Sequence, residues 1–375
     1  MPTQLQALTP SAAPGPVFSA ITTSTRHIYL LLRCIGFMPT ANVSISADNV
    51  RFSVEDSHSM QANVCLTPDL FSSYNYTPSA ALHAAETGAP PSSAEQFNLE
   101  AEDDGVRFQI SLSALLECLQ IFGADASKDR QFGGSGGSGI SGRDAAAMPF
   151  GRPATTSLFD ANALRLPGTC RFVYQGPGYP LSIILEESGV TTTCHLTTFI
   201  TPSTYDLIPF SRSSMTHKII LKAAWLHDAL SELDSTTPET LTYTATTTSS
   251  SKKPHFSLSA SGILSSATVE LANNKNIMET FSVTSDSMHR YKFALIRKAM
   301  KAMSVASKVS LRGDEPGVLS MQYLIEMPDK SSAPTFIDFR FLPLTDEDGS
   351  DDDGDDGEET GGSGGSNEEG EDMML

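Results

Sequence analysis

Apolar and polar residues alternate along most of the chain, and this pattern predicts β-strands. Runs rich in β-branched and aromatic residues recur from end to end, among them VRFSVE, LSIILEE and VLSMQYLIE. The runs follow one another at the spacing of hairpins, which favours antiparallel sheets. Four stretches fit the period of a helix instead, near residues 24–35, 112–122, 223–233 and 294–304.

The order of these elements repeats along the chain. In each half a strand leads into a helix, hairpin-spaced strands follow, and a second strand-to-helix step precedes the last hairpins. Such repetition indicates an internal duplication, and within each half the strand–helix–strands module itself occurs twice. We therefore expect an α+β fold of two similar domains, each with antiparallel sheets and two helices on one face.

Shifts in composition suggest where the domains begin and end. Two segments rich in Ala, Pro, Gly and Ser, residues 76–95 and 124–168, interrupt the first half and are predicted to be flexible insertions. The predicted order is a flexible N-terminus over 1–16, a first domain over 17–199, a linker over 200–213, a second domain over 214–344 and a disordered acidic tail over 345–375.

The net charge of −19 is unevenly distributed. The last thirty-one residues hold fourteen Asp or Glu and no Lys or Arg, which leaves −5 for residues 1–344. A nearly neutral body does not exclude DNA as a partner, because DNA-binding proteins need a basic stripe rather than a basic total. Within the tail, Ser350 precedes three aspartates and fits an acid-directed kinase site, although the tail also fits a simple solubilising end.

Positive charge is concentrated on the predicted helices. At 100° per residue, Arg297, Lys298 and Lys301 share one face of the fourth helix, opposite its apolar residues. Arg26 and Arg33 share one face of the first helix in the same way. The simplest interpretation is a pair of solvated faces; the alternatives are a common surface for a polyanion, or binding to a membrane surface or calmodulin.

The other two predicted helices carry less positive charge. The second shows Ser113, Glu117 and Gln120 on its polar side. The third shows His227 among acidic and hydroxyl residues, with Lys222 just before it.

The sequence shows no catalytic constellation. Its paired carboxylates are adjacent residues at strand ends, where side chains point to opposite faces, as in Glu55 with Asp56, Asp103 with Asp104, and Glu186 with Glu187. The glycines of YQGPGYP fit a tight turn rather than a phosphate-binding loop. We therefore expect no enzyme, no metal and no cofactor.

The cysteines and the apolar runs bear on the cellular environment. Five cysteines form no CxxC pair and predict buried thiols in a reducing compartment. The first residues lack the features of a secretory signal, and no apolar run approaches the ~18 residues of a membrane span, so we expect a soluble chain without a membrane partner.

Several segments in the same order resemble one family. ISLSALLECLQIFG, KIILKAAWLHDALSELD, RYKFALIRKAM and KVSLRGDEPGVLSMQYLIE are similar to the Rad-one subunits of the nine-one-one checkpoint clamp, which are relatives of PCNA. The resemblance runs from about Val17 to Pro343 when the two insertions are skipped. It implies two tandem PCNA-like domains that close into a ring with Rad-nine-like and Hus-one-like subunits, with the helices lining a hole around DNA.

The family also implies a function. A clamp loader would open the ring onto double-stranded DNA with recessed ends at sites of damage, and the loaded ring would promote checkpoint signalling and recruit repair enzymes in the nucleus. Two alternatives are a 3'-to-5' exodeoxyribonuclease and a homotrimeric processivity clamp of the PCNA type. Under the clamp hypothesis the residues expected to face DNA are Arg26, Arg33, Lys222, His227, Arg297, Lys298 and Lys301.

Overall fold

The structure is a computed structural model that describes residues 15–77, 105–123, 168–187, 189–201, 207–247, 255–262, 265–326 and 334–345. Most of the predicted N-terminal segment, both predicted insertions and nearly all of the acidic tail, including Ser350, lie outside these residues. Residues 202–206 of the predicted linker also lie outside them.

Four helices occur where the apolar period changes from two to about 3.6. They are α1 (Thr25–Cys34), α2 (Leu112–Gly123), α3 (Ala223–Asp234) and α4 (Phe293–Met303). A short 3-10 helix spans Pro68–Leu70. The last three α-helices follow directly on the strand before them, so the strand-to-helix steps seen in the sequence are real turns of the chain.

The first half of the chain, up to Leu196, contains nine strands. They are β1 (Phe18–Thr22), β2 (Thr40–Ile45), β3 (Val50–Asp56), β4 (Met60–Leu66), β5 (Ser73–Tyr76), β6 (Val106–Ser111), β7 (Thr169–Tyr174), β8 (Leu181–Glu187) and β9 (Val190–Leu196).

The second half, from Met215, contains nine more strands in the described residues. They are β10 (Met215–Lys222), β11 (Thr240–Ala245), β12 (His255–Ser261), β13 (Ser266–Ala272), β14 (Met278–Val283), β15 (Ser287–Lys292), β16 (Lys308–Asp314), β17 (Leu319–Ile325) and β18 (Thr335–Phe341).

The strand order shows the duplication directly. The strands form a five-stranded sheet β5-β1-β7-β8-β9, a four-stranded sheet β13-β12-β11-β15 and a nine-stranded sheet β14-β10-β16-β17-β18-β4-β3-β2-β6. When the strands are numbered from the start of their own half, each half contributes one set in the order 5-1-7-8-9 and one set in the order 4-3-2-6. The nine-stranded sheet consists of one set from each half. All pairings between the described strands are antiparallel, as predicted.

The nine-stranded sheet joins the two halves through β18 and β4. These strands pair from Ile337 opposite Val64 to Phe341 opposite Met60. Next to the last pair of this junction, Gln61 and Arg340 lie opposite each other, and both bind the chain before β10. The Ile208 N–H donates to Gln61 Oε1 at 3.1 Å, and Arg340 donates to the Ile208 carbonyl. The connection between the halves is thus anchored at their junction.

The helices form a single layer against the sheets. α1 packs on α2, α4 packs on α3, and α1 contacts α4, which gives the order α2-α1-α4-α3. Their apolar stripes belong to one continuous core, to which Leu31 and Leu32 of α1 and Ile296 and Ala299 of α4 contribute fully buried side chains. Burial of each large aliphatic side chain contributes about 1.5–3 kcal/mol, which holds these helices against the sheets.

Candidate nucleic-acid interface

We call the exposed side of the four-helix layer the helix face. Its two inner helices, α1 and α4, carry Arg and Lys, whereas the outer helices expose acids: Glu117 on α2, and Asp228 and Glu232 on α3. The four helices come from both halves of the chain. Positive charge is therefore gathered at the centre of the layer.

Two of the three cations on α4 are paired with carboxylates. Arg297 Nη2 contacts Asp234 Oδ1 at the end of α3, and its guanidinium carbon lies 5.5 Å from the centroid of the Phe293 ring. Lys298 Nζ contacts Asp56 Oδ2 at the end of β3 and lies 5.3 Å from the centroid of Phe37. The second contact joins the two halves of the chain.

Arg33 on α1 and Lys301 on α4 are in a different situation. Both side chains are exposed, and no carboxylate within the described residues forms an ion pair with either. Burial of its stem, and secondarily the positive charge of Arg33, lower the pKa of Lys301. The Arg33 guanidinium carbon lies 6.0 Å from the centroid of the Tyr29 ring on the same helix. These two cations form a like-charged pair across the boundary between the halves.

The remaining candidates lie at the ends of helices or beside acids. Arg26, half-buried at the start of α1, lines a surface cleft together with Glu186 and Glu187. Lys222 is exposed immediately before α3. His227 Nδ1 lies 3.6 Å from Asp228 Oδ1 on the same helix. All seven candidates thus lie on or beside the helix layer, but in unlike electrostatic surroundings.

Sequence reasoning missed three residues of this surface. Asp56 and Asp234 were missed because each meets its cation only in the fold, and Asp56 is 242 positions from Lys298. Lys292 is exposed immediately before α4, just as Lys222 precedes α3. The duplication was a usable signal for Lys292, since both strand-to-helix steps of the second half place a lysine at the same point.

Carboxylates that could serve a nuclease are engaged or dispersed. Glu55 contacts His58, Asp56 contacts Lys298, and Asp103 and Asp104 lie outside the described residues. Within the described ranges no three His, Cys, Asp or Glu side chains come together as metal ligands, and no helix is long and apolar enough to cross a bilayer.

The five cysteines are free thiols. Cys34 and Cys170 are buried, as predicted, and burial raises the pKa of each to about 12. The other three are only partly buried, which the alternating sequence pattern did not distinguish.

Two strand edges complete the candidate interaction surface. β18 and β4, the ninth strand of the second half and the fourth strand of the first, are joined to each other. Their counterparts under the duplication are β9 and β13, and each of these is the last strand of its sheet. Both show alternating exposure, with Val190 of β9 55% exposed. The chain therefore carries two copies of the same junction: a used one, in which β18 pairs with β4, and an unused one, in which β9 and β13 are unpaired edges of the described sheets.

Comparisons with known proteins agree with this architecture. Residues 17–325 match the family described as "Repair protein Rad1/Rec1/Rad17". The chain is 32% identical over 333 residues to the DNA damage checkpoint control protein rad1 of Schizosaccharomyces pombe, covering 88% of this chain and 87% of that protein. It is 28% identical over 309 residues to the human cell cycle checkpoint protein RAD1, covering 82% and 85% of the two chains.

A more distant relative and a solved structure are also similar to this chain. The DNA repair exonuclease REC1 of Mycosarcoma maydis is 24% identical over 288 residues, which are 64% of this chain and 62% of that protein. The fold is similar to that of the proliferating cellular nuclear antigen of Entamoeba histolytica, with a TM-score of 0.57 and 11% identity over 88% of this chain and all of the other. The predicted PCNA-like fold is thereby confirmed, and the chain belongs to the Rad1/Rec1/Rad17 family of repair proteins.

Proposed function

We propose that the chain is a non-catalytic subunit of a heterotrimeric ring-shaped DNA clamp that acts in the DNA-damage checkpoint. The observation that carries this proposal is the unused junction: β9 and β13 are free sheet edges whose counterparts, β18 and β4, pair within the chain. A long unpaired edge favours pairing with another chain. The names of the checkpoint relatives support the choice of pathway.

The intramolecular junction serves as a template for the intermolecular one. Five residues of β18 pair antiparallel with five of β4. By the same geometry, β9 of this subunit pairs with a β13-like edge of one neighbour, and its own β13 pairs with a β9-like edge of the other. These head-to-tail contacts use two different surfaces, so they generate a closed ring when the rotation per subunit permits it. The neighbours we propose are Rad-nine-like and Hus-one-like subunits.

The helix face then lines the hole. Cations on rigid helices attract phosphates without reading sequence, and this attraction falls as salt rises. Weak, sequence-independent contact is what sliding along double-stranded DNA requires. On this basis the ring is placed by a clamp loader on recessed ends in the nucleus, where it recruits repair enzymes and promotes checkpoint signalling.

The exonuclease in the name of one relative suggests the competing function. Metal-dependent hydrolysis of DNA needs carboxylates that converge on one or two ions. Here Asp56 neutralises Lys298 and Glu55 contacts His58, so the acidic pair at the end of β3 is turned to structural contacts. This arrangement favours the non-catalytic role.

Co-expression with Rad-nine-like and Hus-one-like chains tests the proposal. We expect a one-to-one-to-one complex by mass photometry, a ring with a central hole by electron microscopy, and retention on circular DNA that is lost when the circle is cut. A self-trimer would instead indicate a homotrimeric processivity clamp. A monomer that ignores both partners, or release of nucleotides that disappears in an Asp56→Asn variant, would overturn the proposal.

A further inference from the structure

The cations at the centre of the helix face are of two kinds. Arg297 and Lys298 are each in contact with a carboxylate, from Asp234 and Asp56 respectively. Arg33 and Lys301 have no carboxylate partner among the described residues. The helix face thus contains a masked pair of cations and an unmasked pair, a distinction that helical periodicity does not reveal.

The masked pair is poorly suited to hold DNA. Binding of DNA by a cation gains free energy mainly because the neutralised phosphate releases its condensed counterions. A phosphate that approaches Lys298 also meets the negative charge of Asp56, so it must displace that carboxylate or remain repelled by it. The Lys298 and Asp56 side chains are 30% and 17% exposed, so water screens their attraction only in part. The Phe37 ring further fixes the Lys298 ammonium in this position.

The unmasked pair has the opposite properties. Arg33 and Lys301 are exposed like charges on two helices that contact each other, so they repel; burial, and secondarily the charge of Arg33, lower the pKa of Lys301. An anion placed between them relieves this repulsion and gains attraction from both. The planar guanidinium of Arg33 offers two parallel donors to phosphate oxygens, and its position near the Tyr29 ring limits its freedom before binding.

We propose that the helix face binds the DNA backbone at the Arg33–Lys301 pair, with two adjacent phosphodiesters spanning α1 of the first half and α4 of the second, while Asp234 and Asp56 neutralise Arg297 and Lys298. This inference rests on the proposed clamp function and assigns the phosphate contacts within it. It also gives the two carboxylates a role: they limit attraction, so the loaded ring is held without being fixed in place.

The test uses the assembled three-subunit complex and a duplex of random sequence, with affinity measured from 50 to 200 mM salt. Each lost phosphate contact reduces the slope of log affinity against log salt by about 0.9. We expect Arg33→Gln with Lys301→Gln to reduce the slope by about 1.8, which makes the fall in affinity over this range about tenfold smaller. The charge-preserving pair Arg33→Lys with Lys301→Arg should retain the original slope.

The matched comparisons separate this inference from a general effect of positive charge. Arg297→Gln with Lys298→Gln should change the slope by less than about 0.5, and Asp56→Asn with Asp234→Asn should increase it by up to about 1.8 because it releases two cations. Arg107 is a control: it is exposed on β6 opposite the buried Phe108 and Ile110, and Arg107→Gln should have no effect.

The outcomes are distinguishable. If the complex assembles and holds circular DNA but the Arg33/Lys301 variant keeps the original slope, this inference is wrong and the clamp function stands. Equal losses for the two pairs of cations would also overturn it, because masking would then have no effect. If the three chains do not assemble at all, the proposed function itself fails. Thermal melting of each complex identifies a variant that has lost its fold, and a single substitution, Lys301→Gln, with an expected change of about 0.9, then replaces the double one.

Discussion

His217 provides a sharp test of the packing of the second half, because a buried neutral imidazole makes stability depend on pH. It lies on β10 with only 3% of its surface exposed, and its ring stacks on Tyr243 with centroids 5.1 Å apart. Its Nδ1 lies 3.1 Å from the hydroxyls of Thr216 and Ser287, while Nε2 is buried without a hydrogen-bond partner. Burial, and secondarily the nearby His289, lower the pKa of His217 from 6.5 to about 4.

The direction and size of the effect follow from these two values. Between pH 6.5 and 4 the unfolded chain binds a proton at His217 that the folded chain does not. The free energy of unfolding is therefore not reduced by His217 above pH 6.5, and it decreases as the pH falls below that value. At 1.36 kcal/mol per unit of pKa, His217 alone costs the fold about 1.4 kcal/mol at pH 5.5 and about 2.5 kcal/mol at pH 4.5.

Urea unfolding followed by circular dichroism measures this contribution. The free energy of unfolding is compared between pH 7.5 and 4.5 for the original chain and for His217→Phe, which keeps a ring against Tyr243 but cannot titrate. Acidic residues titrate in both proteins and cancel in the difference, which we expect to be about 2.5 kcal/mol. His217→Gln should give the same flattened pH dependence. If both variants lose as much stability as the original chain, the imidazole is not held neutral and the packing described for β10 is wrong.

Two further predictions concern the sheets. Gly313→Ala should destabilise the fold by about 1–3 kcal/mol in the same unfolding assay, because the added Cβ would lie 2.2 Å from the ring of His217 on the neighbouring strand. The double variant Gly313→Ala with His217→Ala should recover part of that loss. If it recovers none, the His217 ring is not the obstacle. Arg340→Ala removes a charged hydrogen bond to Ile208 and should accelerate proteolysis of the connection between the halves, whereas Arg171→Ala should not, because Arg171 is an exposed residue of β7. Equal rates would show that the anchor has no effect.

The sequence predicted the helices well because their signal is local. The change from an alternating to a helical period occurs within a few residues, and the predicted starts near 24, 112, 223 and 294 compare with observed starts at 25, 112, 223 and 293. β5 escaped notice because its four residues, SYNY, show little apolar alternation, and they pair with β1 across more than 50 positions of the chain. The duplication was visible from element order, but the pairing of β18 with β4 joins residues more than 270 positions apart and leaves no local trace.

The predicted helix face shows the same division between local and distant information. Helical periodicity placed Arg297 and Lys301 on the solvent side of α4, and both are exposed. It placed Lys298 on that side as well, although at the margin next to the apolar sector, and there the first half of the chain supplies Phe37 and Asp56 to cover it. A residue at the edge of an amphipathic stripe is governed by whatever packs beside the helix, which the helix itself does not encode.

The acidic and basic residues of the protein are not fully separated in space. An acidic chain with basic helices could simply separate its charges, with acids elsewhere and cations facing DNA. In the described residues, however, acids from β3 and α3 meet cations on α4, and the contact through Asp56 also binds one half of the chain to the other. The same carboxylates then have two effects: Asp56 links the halves, and under our proposal Asp56 and Asp234 leave Arg33 and Lys301 as the cations at the centre of the helix face that attract phosphate. In the proposed sliding ring this arrangement limits the attraction to DNA, because each additional unmasked cation would strengthen that attraction and steepen its dependence on salt.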